Sequence, residues 1–163
     1  MSMETGQDLF EHELRDIFDA ENKLVNALEK MAKNATDDQL KQAFTEHKGV
    51  TQTQIERLER VFKLIDRAPR REPCPGINGL IEEYQEFHKE EDPSPEVSDV
   101  FAAAAAVKVE SYEISAYESL IKLANQLGLS EATTLFEESL AEEKETRTEA
   151  SQMGEILGKK LGS

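Results

Sequence analysis

Acidic residues interrupt three of the four long apolar stripes in this sequence, and a histidine interrupts the fourth. Glu21, Glu110 and Glu143 stand where an apolar side chain should recur every three or four residues, as does His47; Glu113 lies one step off its stripe. A buried ionised carboxylate costs several kcal/mol unless a cation compensates it. Four-helix bundles bind pairs of iron or manganese ions through carboxylates and histidines facing inward. These five residues are therefore candidate metal ligands.

The same polar layer has a second interpretation that needs no metal. Side-chain hydrogen bonds and water can satisfy buried polar groups, and His47 suits a hydrogen-bonded core position as well as a ligand position. Tyr117 lies on the Glu110 stripe, and we expect its hydroxyl to point at a carboxylate. His12, His88 and Glu142 are expected at the surface.

Five helices have to position these residues, at about residues 8–33, 37–66, 77–89, 96–127 and 131–157. Links at 34–36 and 128–130 are so short that the helices they join must be antiparallel neighbours. The proline-rich segment 67–95 is long enough to cross the bundle. The predicted fold is all-α: a ferritin-like four-helix bundle of two antiparallel hairpins, joined by a crossover with a short fifth helix, in one domain over 1–163. The predicted N-caps are Thr5, Thr36, Ser94 and Ser130. The predicted stops are Gly128 for the helix at 96–127, and Gly158 with Gly162 for the helix at 131–157.

Counting residues away from the two turns tests whether the polar positions share a level. Glu21 lies about 14 residues before the first turn. About 14 residues after that turn the chain reaches residues 47 to 51, so Glu21 is expected to be level with them. Glu143 falls near Glu113, and Glu110 falls near Thr146 and Arg147. One layer across the bundle is the expected arrangement.

Composition excludes several classes of function. The net charge of −15 disfavours nucleic acid and anionic membranes. No apolar run approaches the roughly 18–20 residues that span a bilayer, and the start MSMETGQDLF lacks a signal-peptide pattern, so a cytoplasmic location is expected. The lone Cys74 cannot form an internal disulfide and is interpreted as a buried or tolerated thiol.

Several short motifs are spread over nearly the whole chain. They are Ala20-Glu21, Gln42-Ala43-Phe44, His47, Ile55-Glu56-Arg57-Leu58, Gly79-Leu80-Ile81-Glu82-Glu83, Lys108-Val109-Glu110-Ser111-Tyr112-Glu113-Ile114, Ala124-Asn125-Gln126-Leu127-Gly128 and Glu142-Glu143-Lys144. In combination they resemble the bacterial stress-associated YciE/YciF family. That resemblance implies a ferritin-like bundle, commonly dimeric, related to rubrerythrin and manganese catalase. It also implies a dinuclear iron or manganese site, with one or two ions per chain.

This chain departs from the family pattern near two of the candidate ligands. In relatives the histidine of the second helix begins the pattern His-Leu-Glu-Glu-Thr. This chain reads His47-Lys48-Gly49-Val50-Thr51 at the same place. A fourth-helix acid of relatives is replaced by Arg147. A single metal ion therefore fits better than two. We hypothesise that the Arg147 guanidinium, level with Glu110, supplies the positive charge of the second ion.

Three functions follow as hypotheses. A carboxylate-bound iron or manganese ion could act on peroxide, oxygen or ferrous iron. A dimer or scaffold could have kept the fold without the metal. A DNA-protecting shell protein is disfavoured by the negative charge. Phe18, Val25 and Phe62 lie off the inner stripes and either form a dimer face or pack beneath the short helix.

Overall fold

Five helices make up the fold, which a computed structural model describes over residues 3–162. Residues 3–162 contain no strand, which confirms the all-α prediction. Helix α1 packs along α2 and α4 packs along α5, and the two hairpins meet where α1 faces α4 and α2 faces α5. Helix α3 crosses between the hairpins and packs mainly on α4. The bounds are α1 Gly6–Asn34, α2 Asp38–Leu64, α3 Pro75–Glu91, α4 Pro95–Gln126 and α5 Ser130–Leu161.

Side-chain caps begin three of the four long helices. Thr5 forms the predicted capping box with Asp8, and Ser94 caps α4 ahead of Pro95. The cap of α2 is Asp37 rather than Thr36, because the Asp37 carboxylate accepts from the first backbone N–H groups of the helix. The Thr36 hydroxyl instead donates to the buried Asp99 of α4 at 2.6 Å. That bond joins the link between α1 and α2 to helix α4 of the other hairpin.

The predicted helix ends differ from the observed ones by up to four residues. Ser130 is the first residue of α5 and does not cap it; Leu129 precedes the helix without a side-chain bond. Gly158 does not end α5, since glycine lowers helix stability without preventing a helix, and the buried Leu157 still packs in the core. The helix runs on to Leu161, and Gly162 caps its end as predicted. Helix α2 ends at Leu64 because Asp66 has a positive φ of 55°.

Two apolar clusters occupy the two ends of the bundle. Most of the buried polar residues of α2, α4 and α5 lie between the two clusters: His47, Thr51, Gln54, Glu110, Glu113, Ser139 and Glu143. Phe18 and Phe62 belong to the larger cluster, with ring centroids 5.3 Å apart. Of the two alternatives for these rings, packing within the chain is therefore the one the structure shows. No helix among residues 3–162 combines the length and apolar character that crossing a bilayer requires.

The crossover is tied to α1 by Asp19. Its buried carboxylate accepts from the Arg71 guanidinium at 2.8 Å and from the Cys74 backbone N–H at 2.9 Å. The Cys74 thiol is itself fully buried, 3.1 Å from the Tyr112 hydroxyl, and burial raises the pKa of this thiol. A protonated, inaccessible thiol is a poor nucleophile. The interpretation of Cys74 as a buried structural residue is confirmed.

The start of α3 requires a glycine at position 76. A Cβ there would overlap the ring of Tyr112, whereas a Cβ at Gly79 of the same helix would meet nothing within 4 Å. We expect Gly76→Ala to lower the free energy of unfolding by about 1–3 kcal/mol through overpacking. Gly79→Ala should leave it unchanged or raise it by up to about 1 kcal/mol. Urea unfolding of both variants measures the free energy of unfolding. Equal changes in the two variants would contradict the close packing of Gly76 against the Tyr112 ring.

Candidate metal centre

Four of the five predicted ligands converge on one point inside the bundle. His47 of α2, Glu110 and Glu113 of α4, and Glu143 of α5 each place one ligand atom within 4.8 Å of the others. All four are buried, with His47 the most exposed at 7%. Glu110 and Glu113 share a helix face because they are three residues apart. The short link between α4 and α5 brings Glu143 level with Glu113, and the packing of α2 on α5 brings His47 to the same group.

His47 is held from both sides of its ring. Its Nε2 lies 2.9 Å from Glu110 Oε1, and its Nδ1 lies 3.5 Å from the Thr146 hydroxyl. These two contacts set the plane of the imidazole. A ring fixed in this way is oriented for a ligand role, and it also suits the alternative of a hydrogen-bonded core histidine.

Glu21, the fifth predicted ligand, lies beside the four-residue group. The Tyr117 hydroxyl donates to Glu21 Oε1 at 2.5 Å, which confirms the expectation that this tyrosine points at a carboxylate. Tyr117 is itself fully buried. The other oxygen of Glu21 has no hydrogen-bond donor among residues 3–162.

Burial raises the pKa of four carboxyl groups, those of Glu21, Glu110, Glu113 and Glu143. Loss of hydration raises the pKa of Glu21 to about 8, and the charge of Glu143 adds to that effect. Loss of hydration likewise raises the pKa of Glu110 to about 7. The pKa values of Glu113 and Glu143 are raised well above the ordinary range by burial and by the neighbouring carboxyl groups. Without a cation, the cluster is largely protonated at neutral pH.

The residues present fit a metal ion. When the carboxyl groups are ionised, six of their buried oxygens lack a donor within the described part of the chain: Glu21 Oε2, Glu110 Oε2 and both oxygens of Glu113 and Glu143. Buried acceptors without partners are costly, and a cation is one means of satisfying several at once. An imidazole nitrogen together with carboxylate oxygens is a donor set that suits iron and manganese.

The arginine that lies beside the buried polar residues is Arg57, which was not predicted as a functional residue. Its guanidinium binds both oxygens of Glu142, at 2.7 and 2.8 Å, and the buried Gln54 amide donates to the same carboxylate at 3.1 Å. Glu142 is therefore paired with α2 rather than simply solvated as predicted. The signal available in the sequence was the position of Arg57, three residues after Gln54 on the α2 stripe.

The hypothesis that Arg147 compensates Glu110 is wrong. Arg147 lies in a shallow surface depression with Val107 and Ser151, and among the described residues no ion pair joins it to Glu110. The physical reason is rotation, since neighbouring helix positions differ by about 100°. Thr146 faces His47, so the next residue faces away from the cluster.

The other two histidines lie outside the cluster. The His12 side chain is 42% exposed, as expected for a surface residue. His88 is half-buried between α3 and α4, with its ring nitrogens 2.8 Å from the Tyr84 carbonyl oxygen and 2.7 Å from the Ser98 hydroxyl. The expectation of a surface position for His88 was wrong, because its ring packs against Tyr84.

Comparisons with known proteins identify the family. The profile of a domain of unknown function, DUF892, matches residues 5–160. Protein YciF of Escherichia coli (strain K12) is 42% identical over 147 residues, which cover 90% of this chain and 88% of that protein. The crystal structure of the E. coli stress protein YciF matches with a TM-score of 0.91 at 38% identity, covering 97% of this chain and 99% of that one.

Two further solved structures share the fold. YcfI of Rhodopseudomonas palustris, for which a structural role has been suggested, matches with a TM-score of 0.89 at 40% identity, covering 92% of this chain and 95% of that one. A protein of Xanthomonas campestris matches at 17% identity with a TM-score of 0.77, which bears on the fold alone. The chain therefore belongs to the DUF892 family and is a relative of the stress protein YciF.

Proposed function

We propose that this protein is a stress-associated metal-binding protein that holds iron or manganese at its buried cluster. The convergence of His47, Glu110, Glu113 and Glu143 within 4.8 Å carries this proposal. The name of the relative YciF as a stress protein supports the physiological setting. We propose one ion per chain, because the four ligand atoms surround a single position.

The surrounding residues would orient the ligands and keep water out. Thr146 and Glu110 hold the His47 ring, and Tyr117 holds one oxygen of Glu21 so that the other stays available. Glu113 and Glu143 would lose their protons on metal binding, because only ionised carboxylates are strong ligands. When bound, iron or manganese would supply redox chemistry toward peroxide, oxygen or ferrous iron. Homodimer formation, which the family resemblance implies, remains a prediction.

Metal titration of the isolated protein tests the proposal. We expect chelator-stripped protein to bind about one Mn²⁺ or Fe²⁺ per chain under anaerobic conditions at pH 7.5, measured by elemental analysis after desalting. Glu143→Gln should weaken binding at least about tenfold, since it removes a charged ligand. Glu137→Gln, an exposed position on the same helix, is the matched control.

The competing function is a scaffold that retains the fold without metal. The 2.9 Å contact of His47 with Glu110 and the hydrogen bond of Tyr117 to Glu21 favour it, since they already pair part of the polar layer. If the unchanged protein and Glu143→Gln retain the same trace of metal after desalting, the scaffold function stands and the metal function falls.

A further inference from the structure

A surface cavity of about 420 Å³ leads inward between α2 and α5 and reaches His47. Small side chains create it: Ala43 on α2, Ala103 and Ala106 on α4, and Ala150 on α5 all line its wall. Their methyl groups leave volume that larger side chains would fill. Alanines on three helices therefore leave the space that forms the cavity.

His47 joins this cavity to the candidate metal cluster. It lines the cavity, whereas Glu110, Glu113 and Glu143 do not, and its Nε2 contacts Glu110 at 2.9 Å. It is also the most exposed member of the cluster, at 7% against 0–1% for the three glutamates. An ion that entered through the cavity would meet His47 before it met any carboxylate of the cluster.

The lining residues of the cavity include four acids and neither lysine nor arginine; the acids are Glu46, Glu142, Glu145 and Glu149. Glu142 is neutralised by Arg57, whereas Glu46 accepts only from the uncharged Gln42 amide. Glu145 and Glu149 are exposed, lie one helical turn apart and have no ion pair within residues 3–162. Three carboxylates without a cationic partner therefore line the cavity, and the adjacent pair Glu145 and Glu149 concentrates cations there.

We propose that this cavity is the path by which hydrated divalent cations reach the cluster, with Glu145 and Glu149 collecting the cation and His47 receiving it. The proposal rests on the metal-binding function proposed above. It assigns the two exposed glutamates and the alanine wall a role in the rate of metal uptake. Neither feature contributes a ligand, so neither should alter how much metal is bound at saturation.

Stopped-flow mixing of metal-free protein with Co²⁺, followed by the absorbance of the bound ion, measures uptake directly. Ala150→Leu should narrow the cavity and slow the association rate constant about tenfold or more, with the same stoichiometry. Ala27→Leu is the matched control. It places the same side chain in a separate cavity of about 190 Å³ beneath α3, which no residue of the cluster lines.

A second pair of variants tests the charges. The double variant Glu145→Gln/Glu149→Gln should slow Co²⁺ association about threefold or more at low ionic strength, and the difference should vanish near 0.5 M salt, where screening is strong. Glu82→Gln/Glu86→Gln removes two exposed acids with the same spacing from α3 and should not change the rate beyond the effect of net charge.

The outcomes separate this proposal from the function on which it rests. If the unchanged protein binds no Co²⁺, both are overturned. If it binds Co²⁺ but both cavity variants take it up at the control rates, the path is overturned and the metal site stands. Should Ala150→Leu fail to fold, the charge pair alone decides.

Discussion

Glu113→Gln and Glu143→Gln should each make the metal-free protein more stable at pH 8, by about 2–4 kcal/mol. Burial raises the pKa of both carboxyl groups well above the ordinary value of 4.5. As pH rises above that value, the unfolded chain releases protons that the folded chain retains. The free energy of unfolding therefore falls by about 1.4 kcal/mol per pH unit for each such group. Glutamine does not titrate, so the variants escape this loss.

Urea unfolding in the presence of chelator, from pH 4.5 to pH 8.5, measures the effect. Below the unfolded pKa near 4.5 both states are protonated, so the variants and the unchanged protein should nearly coincide. Their difference should then grow steadily with pH until the raised pKa of the replaced carboxyl group in the folded chain is passed. The exposed Glu137→Gln should run parallel to the unchanged protein throughout. Parallel curves for Glu143→Gln as well would contradict the raised pKa of Glu143 in the folded chain.

Saturating Mn²⁺ should reverse this instability in the unchanged protein. Ligand binding to the folded state alone stabilises by about 2.7 kcal/mol at a hundred times the Kd and by about 4.1 kcal/mol at a thousand times. Because the ion must displace protons from Glu110, Glu113 and Glu143, the stabilisation should be larger at pH 8 than at pH 6. Glu143→Gln should lose most of it.

Thermal unfolding followed by circular dichroism checks this prediction. A net charge of −15 means that any divalent ion stabilises somewhat by screening, so Mg²⁺ at equal concentration is the control. The imidazole of His47 favours Mn²⁺ over Mg²⁺, which prefers oxygen ligands and keeps its water. Equal shifts of Tm with the two ions, unaffected by Glu143→Gln, would attribute the whole effect to the acidic surface.

The sequence allowed the bundle and most of the cluster to be predicted because both follow from spacing. Two short links force antiparallel hairpins, and residues equally far from a turn must then lie level. That count brought Glu143 close to Glu113, and the structure places both in the same group. The capping box of Thr5 and Asp8 and the pair Ser94-Pro95 similarly marked where two helices begin.

What could not be predicted depends on the rotation of each helix about its own axis. Counting along the chain gave the level of Arg147 but not the direction of its side chain, which is about 100° from that of Thr146. The contacts of Arg57 with Glu142 and of Thr36 with Asp99 also join distant segments through long or polar side chains. Periodicity of apolar residues carries no information about such pairs.

The central claim is that one metal ion lies between His47, Glu110, Glu113 and Glu143. Crystals grown from Mn²⁺-loaded protein, with diffraction data collected above the manganese absorption edge, test it most directly. We predict an anomalous difference peak within about 2.5 Å of His47 Nε2 and of oxygens of the three glutamates. A map with no peak there, and with His47 still bound to Glu110 as in the metal-free arrangement, would contradict it.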